Sequence, residues 1–215
     1  TPLTGAYNWD YTVQDNRVKK LYELGKKLNW NVEVDVDWEP EFPDIGPEEF
    51  EFENNQWSEH PVYKTWDSEK RLEFFRDLNS WSTSQFLHGE QGALLVASQL
   101  ASCAPTFNAK LYAASQTFDE ARHVEAFNKY LQTRVKRTWP IGRALKGLLD
   151  KILTDPRWDL KFIGMQIVIE GLALAAFNAA KTATNDPVYE QMLDYIIRDE
   201  ARHVTFGVNY LEEFV

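Results

Sequence analysis

Residues 119–124 read DEARHV, and residues 199–204 read DEARHV again. In each copy the Glu and the His stand at i and i+3, Glu120 with His123 and Glu200 with His203. On a helix that spacing projects both side chains from one face. A further Glu precedes each copy at an identical interval, Glu90 ahead of Glu120 and Glu170 ahead of Glu200. Their surroundings match as well, EQGALLVA at 90–97 against EGLALAAF at 170–177. The chain therefore carries an internal repeat, and the repeating unit is a helix hairpin. Pro105 lies midway between Glu90 and Glu120. At ~1.5 Å per residue both acids sit roughly 22 Å from that turn, at matching height. Pro187 separates Glu170 from Glu200 in the same way, to within about one turn.

Working outward, the flanking residues set the helix ends. Asp67 or Ser68 caps a helix running to about Cys103, and a second runs from about Thr106 to Arg137. A short helix follows at about Arg143 to Leu153. Asp155-Pro156 reads as cap and first helical position of a helix reaching about Thr182, and Asp186-Pro187 repeats the signal for the last one. Four long helices in two hairpins predict an all-α four-helix bundle over residues 66–215. Residues 1–65 differ. They hold Trp9, Trp30, Trp38 and Trp57, with Trp66 just past their border, and one short helix at about Asp15 to Leu28. Residues 32–59 are acidic and Pro-containing. The alternation of Val32, Val34 and Val36 allows a short strand, but an extended arm pinned to the bundle by aromatics fits the composition better.

Composition narrows the function. Asp and Glu number 33 against 23 Lys and Arg, a formal charge of −10, which opposes nucleic acid and anionic membrane surfaces. Cys103 is the single cysteine, so an internal disulfide and a Cys-rich zinc site are excluded, and a reducing, cytoplasmic setting is expected. The stretch FIGMQIVIEGLALAAF (162–177) has the hydropathy of a membrane span, but Glu170 sits at its centre. A buried acid there needs a partner, so a site is expected rather than a membrane helix. The end at Val215, so soon after His203, points to further chain.

Packing the two hairpins together gathers Glu90, Glu120, His123, Glu170, Glu200 and His203 at the bundle midpoint. Four buried carboxylates repel one another, and two divalent cations cancel their charge. Oxygen and nitrogen ligands without thiolate suit iron or manganese. A lone Glu-x-x-His is common on a solvated helix face, and DEARH by itself fits a surface ion-pair cluster through Arg122 or Arg202. Two copies, each with its upstream Glu at the same interval in an apolar run, are not accounted for that way. His60, before Pro61, reads as a surface residue, and His88 points away from Glu90 around the helix.

From about residue 67 to 215 the chain resembles the ferritin-like superfamily of dinuclear carboxylate proteins. The Asp-Glu-x-Arg-His form looks like the hydroxylase subunits of bacterial multicomponent monooxygenases and the small subunit of ribonucleotide reductase. The resemblance implies an O2-activating oxidoreductase with two iron ions, or a Mn/Fe pair, acting on a small apolar organic substrate. It implies an electron-donor protein and a homodimer, with an iron-oxidising ferritin-like protein as the alternative. On the same resemblance, Glu120 and Glu200 bridge the metals and Glu90 and Glu170 are terminal. His123 and His203 bind one metal each. Asp119 and Asp199 hold the outer imidazole nitrogens, with Arg122 and Arg202 beside them.

Departures from the family patterns are specific. Phe127, at the fourth position after His123, stands where a ribonucleotide reductase carries its radical tyrosine, which excludes a tyrosyl radical at that position. Leu174 stands where the monooxygenases place a threonine, and Ile196 where arylamine N-oxygenases add a third histidine. Ala93, Ala97, Phe127, Leu174, Ile196 and Gly207 fall within one or two turns of the ligands and are candidates to line an apolar substrate cavity. Gln116 and Gln166 each stand at i−4 from a ligand Glu, placed to donate to a carboxylate or to form an exposed pair.

Overall fold

A computed structural model of the chain describes residues 5–12, 16–43, 46–47 and 55–212. Residues 44–45 and 48–54 of the acidic stretch, and Asp15, lie outside the described residues. Helices are the only regular structure among those described. In chain order they are α1 (Asn16–Lys27), α2 (Pro61–Lys64), α3 (Ser68–Cys103), α4 (Phe107–Tyr130), α5 (Arg143–Thr154), α6 (Trp158–Phe162), α7 (Glu170–Ala183) and α8 (Pro187–Leu211). A π-helical turn, Leu131–Val135, extends α4, and a longer π-helical segment, Ile163–Ile169, joins α6 to α7.

Caps explain where α3, α4 and α8 start. The Asp67 carboxylate accepts from the Lys70 backbone N–H at 2.9 Å and starts α3. Thr106 does the same for α4 through Ala109, and Asp186 for α8 through Val188, with Pro187 at the first helical position. At Asp155-Pro156 the expectation is not met. The helix begins later, at Trp158, because Asp155 closes α5 and its carboxylate takes the backbone N–H and the guanidinium of Arg157.

α3 pairs with α4, and the α6–α7 rod pairs with α8, as two antiparallel hairpins packed into one bundle. Two apolar clusters fill it. One contains Ala93, Val96, Tyr112, Phe162, Met165 and Phe206, and the other Phe127, Tyr130, Phe177, Tyr189, Met192 and Ile196. The rod Trp158–Ala183 is long and apolar enough to cross a membrane, but here Lys161, Gln166 and Glu170 on it are buried.

The N-terminal segment is more than an extended arm. α1 packs on α4 and α8, the two helices that carry the DEARHV motifs. After it, Val32–Val36 form a turn instead of a strand. Backbone N–H groups of Val34 and Asp35 both bond Asn31 O, and the Asp35 carboxylate accepts from Asn31 N–H. That turn buries Trp30, Val32 and Val36 against the second apolar cluster.

Candidate metal centre

The hairpins bring all six sequence-predicted ligands to the bundle midpoint, each at most 4% exposed. They fall into two four-membered groups, Glu90, Glu120, His123 and Glu200, and Glu120, Glu170, Glu200 and His203. Within each group one oxygen or nitrogen per residue lies within 4.8 Å of all the others. Glu120 and Glu200 belong to both groups. His123 Nδ1 lies 3.0 Å from Glu90 Oε2 and 3.1 Å from Glu200 Oε1, and His203 Nδ1 lies 3.2 Å from Glu120 Oε1.

The donor set fits a pair of cations. Glu120 Oε2, both Glu200 oxygens and His203 Nδ1 are buried without a hydrogen-bond partner, though they crowd one another. Buried acceptors facing each other require something positive between them. Protons take that place when metal does not. Burial, then the Glu200 charge, pushes Glu90 and Glu170 well above the usual carboxylate range. Burial also works against charge on Glu120 and Glu200, but His203 and His123 outweigh it, holding Glu120 well below the ordinary range and Glu200 down at about 2. Both imidazoles go the other way. Burial opposes their charge, and the surrounding carboxylates overcome it and raise them well above the ordinary value.

Outside the ligands, the two motifs exchange partners. His123 Nε2 faces Asp199 Oδ2 at 3.3 Å, and His203 Nε2 faces Asp119 Oδ2 at 3.2 Å, so each imidazole is held by the acid of the other helix. Arg122 donates to Asp119 at 2.6 Å and to Asp199 at 3.0 Å, and Arg202 to Asp199 at 2.6 Å and to Asp119 at 2.8 Å. The result is a closed square of two carboxylates and two guanidiniums, with every residue at most 4% exposed. It holds a proton on each Nε2 and turns Nδ1 inward. Gln116 is buried and donates to Glu120 at 3.1 Å and Glu170 at 3.0 Å, choosing the carboxylate alternative over an exposed pair.

Sequence reasoning missed Trp30. Its indole N–H donates to Asp199 Oδ2 at 2.7 Å, and its ring stacks on Tyr195, lies 6.4 Å from the His123 ring and sits under the Arg122 guanidinium. Asn29 Oδ1 also accepts from Arg122. The tryptophan richness of the arm was the only signal. His60 is exposed and caps α2, and His88 bonds Trp139 O at 2.9 Å, so both stay outside the cluster.

The expected cavity residues are distributed differently. Ala93, Ala97, Phe127 and Ile196 are fully packed, and Leu174 is half-buried. Gly207 opens no space, since a Cβ there would come 2.9 Å from both Gln166 Cβ and Ile167 Cδ1. A groove of about 640 Å³ lies elsewhere, between the start of α3 and the end of α7, lined by Leu72, Phe75, Phe86, Ala180 and Tyr189 among others. Phe86 lines it one turn before Glu90 on α3, 4.9 Å from Phe177 and 5.8 Å from Phe127, ring centre to ring centre.

No protein-family model and no curated protein matches this chain. A solved structure does match, that of an R2-like ligand-binding oxidase, a tyrosine-to-phenylalanine mutant with an aerobically reconstituted Mn/Fe cofactor. The two share 21% identity at a TM-score of 0.57, over 91% of this chain and 72% of that one. The chain therefore has the ferritin-like helical-bundle fold.

Proposed function

We propose that this protein is an oxidoreductase that uses O2 at a dinuclear Mn/Fe or Fe/Fe centre and acts on a small apolar organic molecule. The observation that carries this reading is the pair of four-ligand groups sharing Glu120 and Glu200, buried at the middle of the bundle. The Mn/Fe cofactor of the structurally similar oxidase supports it. Glu90 and His123 would hold one ion, Glu170 and His203 the other, with Glu120 and Glu200 shared. A first-row metal pair in such a ligand set supplies redox electrons and Lewis acidity for reducing O2.

The chain's own residues do the rest. Asp199 and Asp119 keep the two imidazoles in the tautomer that presents Nδ1, and Arg122 and Arg202 clamp those acids in place. Phe86 lines the groove one turn before Glu90 and packs on the buried Phe127 and Phe177, and the groove's largely apolar lining suits a hydrocarbon or aromatic substrate. Insertion of one oxygen atom into such a substrate needs two further electrons, for which an external donor protein is the natural source.

The test is iron loading without oxygen, rapid mixing with O2, then titration of excess Fe(II). Iron oxidation that stops near two per chain supports a cofactor. Oxidation that continues far beyond that into a mineral makes iron the substrate and overturns the reading.

A further inference from the structure

Metal ions account for the unpartnered atoms of Glu120, Glu200 and His203, but three neighbours remain. Tyr112 Oη, Gln116 Oε1 and both ends of the Gln166 amide are buried without a hydrogen-bond partner. The three residues are at most 1% exposed. Buried polar groups are paired in folded proteins, so several of them on one side of the centre, with no protein group in reach, call for a shared partner.

They belong to one place. Gln116 bonds Glu170, so its amide lies on the Glu170–His203 side of the centre. Tyr112 stands one turn before Gln116 on α4, with its ring 4.2 Å from Phe206. Gln166 lies in the π-helical segment one turn before Glu170, its Cβ against Gly207, the residue after Phe206. A single turn of α8 thus has Tyr112 on it and Gln166 beside it. π-helical insertions recur where a helix must re-aim a functional side chain.

The internal repeat sharpens the contrast. In the register that superposes the two DEARHV motifs, Tyr112 corresponds to Met192, Gln116 to Ile196 and Gln166 to Phe86. Every polar member lies at one end of the centre. Their apolar counterparts lie at the other end, among Phe127, Phe177 and Tyr189. The ligands are duplicated faithfully while their surroundings diverge in one direction.

We propose that Tyr112, Gln116 and Gln166 form a polar subsite beside the Glu170–His203 half of the centre that binds a small neutral hydroxyl-bearing ligand, either water or the hydroxyl of an organic molecule. The phenol and the Gln166 NH2 donate, and the two amide oxygens accept. Water, with two protons to give and two lone pairs, can satisfy all four groups; an alcohol hydroxyl, with one proton, takes both donors and pairs with one of the two amide oxygens. Water in such sites makes about three hydrogen bonds to otherwise unpaired groups. The inference stands on these side chains and not on the oxidase reading.

A crystal structure of the metal-loaded full chain tests it first. We expect ordered density within hydrogen-bond distance of at least two of the three side chains. Density that is absent, or three side chains paired with one another, overturns the proposal. Crystals soaked in ethanol separate the sources: an ethanol oxygen replacing that density identifies an alcohol subsite, and unchanged density a water site, either result upholding the shared chemistry. In solution, Tyr112→Phe and Gln166→Met should each lower the folding equilibrium constant about tenfold, and the double variant little more, because one shared ligand is lost once. Unchanged or raised stability in the single variants, or fully additive losses, would refute it.

Discussion

Asp199→Ala removes an acceptor shared by four buried side chains. Asp199 receives Trp30 at 2.7 Å, Arg122 at 3.0 Å and Arg202 at 2.6 Å, and faces His123 at 3.3 Å. Without it, two buried guanidiniums share a single carboxylate, Asp119. Breaking a buried ion pair from one side costs about 3–5 kcal/mol, because the stranded charge stays out of water. For a chain of this size each kcal/mol moves the melting temperature roughly 2–4 °C, so a fall of roughly 6–20 °C is expected. The assay is thermal unfolding of the metal-free chain in EDTA, which separates this cost from any loss of metal. Metal affinity should then fall about 10–100-fold, since His123 loses the acid that orients it. An Asp199→Ala protein that melts within about 3 °C of the parent would refute the load-sharing role assigned to this square.

Three further outcomes follow from the same geometry. Glu120 serves both groups, so Glu120→Ala should abolish binding of both ions, whereas Glu90→Ala should retain about one per chain by elemental analysis, and equal losses would contradict the shared role. His123, His203, Glu90 and Glu170 all have raised pKa values, and such groups stabilise the fold below their unfolded values and lose that contribution as pH rises through the folded ones. The metal-free melting temperature should therefore fall as pH climbs above the ordinary histidine value of 6.5, while the gain on adding Mn(II) grows; a metal-free protein that becomes more stable over that range would contradict it. Gly207→Ala forces a Cβ to 2.9 Å from Gln166 and Ile167 and should cost about 1–3 kcal/mol, whereas Gly171→Ala meets nothing within 4 Å and should be neutral or stabilising in the same denaturation assay.

The ligand set was legible because its chemistry is local. A Glu-x-x-His pair, repeated with a second Glu at a fixed upstream interval, needs only helix geometry and hairpin turns to converge. Asp67 and Asp186 announced their helices for the same reason. Asp155 misled because Arg157, just beyond Pro156, competes for its carboxylate, a choice that the cap pattern alone does not reveal. The π-helical segment at Ile163–Ile169 left no trace either, since one extra residue in an apolar run reads as a continuous helix. Trp30 is remote from Asp199 along the chain, and nothing in its sequence neighbourhood specifies that partner. The crossed pairing of Asp119 with His203 and Asp199 with His123 depends on how α4 meets α8, which is a packing outcome.

The central claim is that six side chains hold two metal ions, with Glu120 and Glu200 common to both. Anomalous diffraction from crystals grown with manganese and iron, collected on both absorption edges, tests it directly. Two peaks inside the cluster, one beside Glu90 and His123 and one beside Glu170 and His203, with Glu120 and Glu200 contacting both, are predicted. A single peak, or peaks only outside the cluster, would contradict the account.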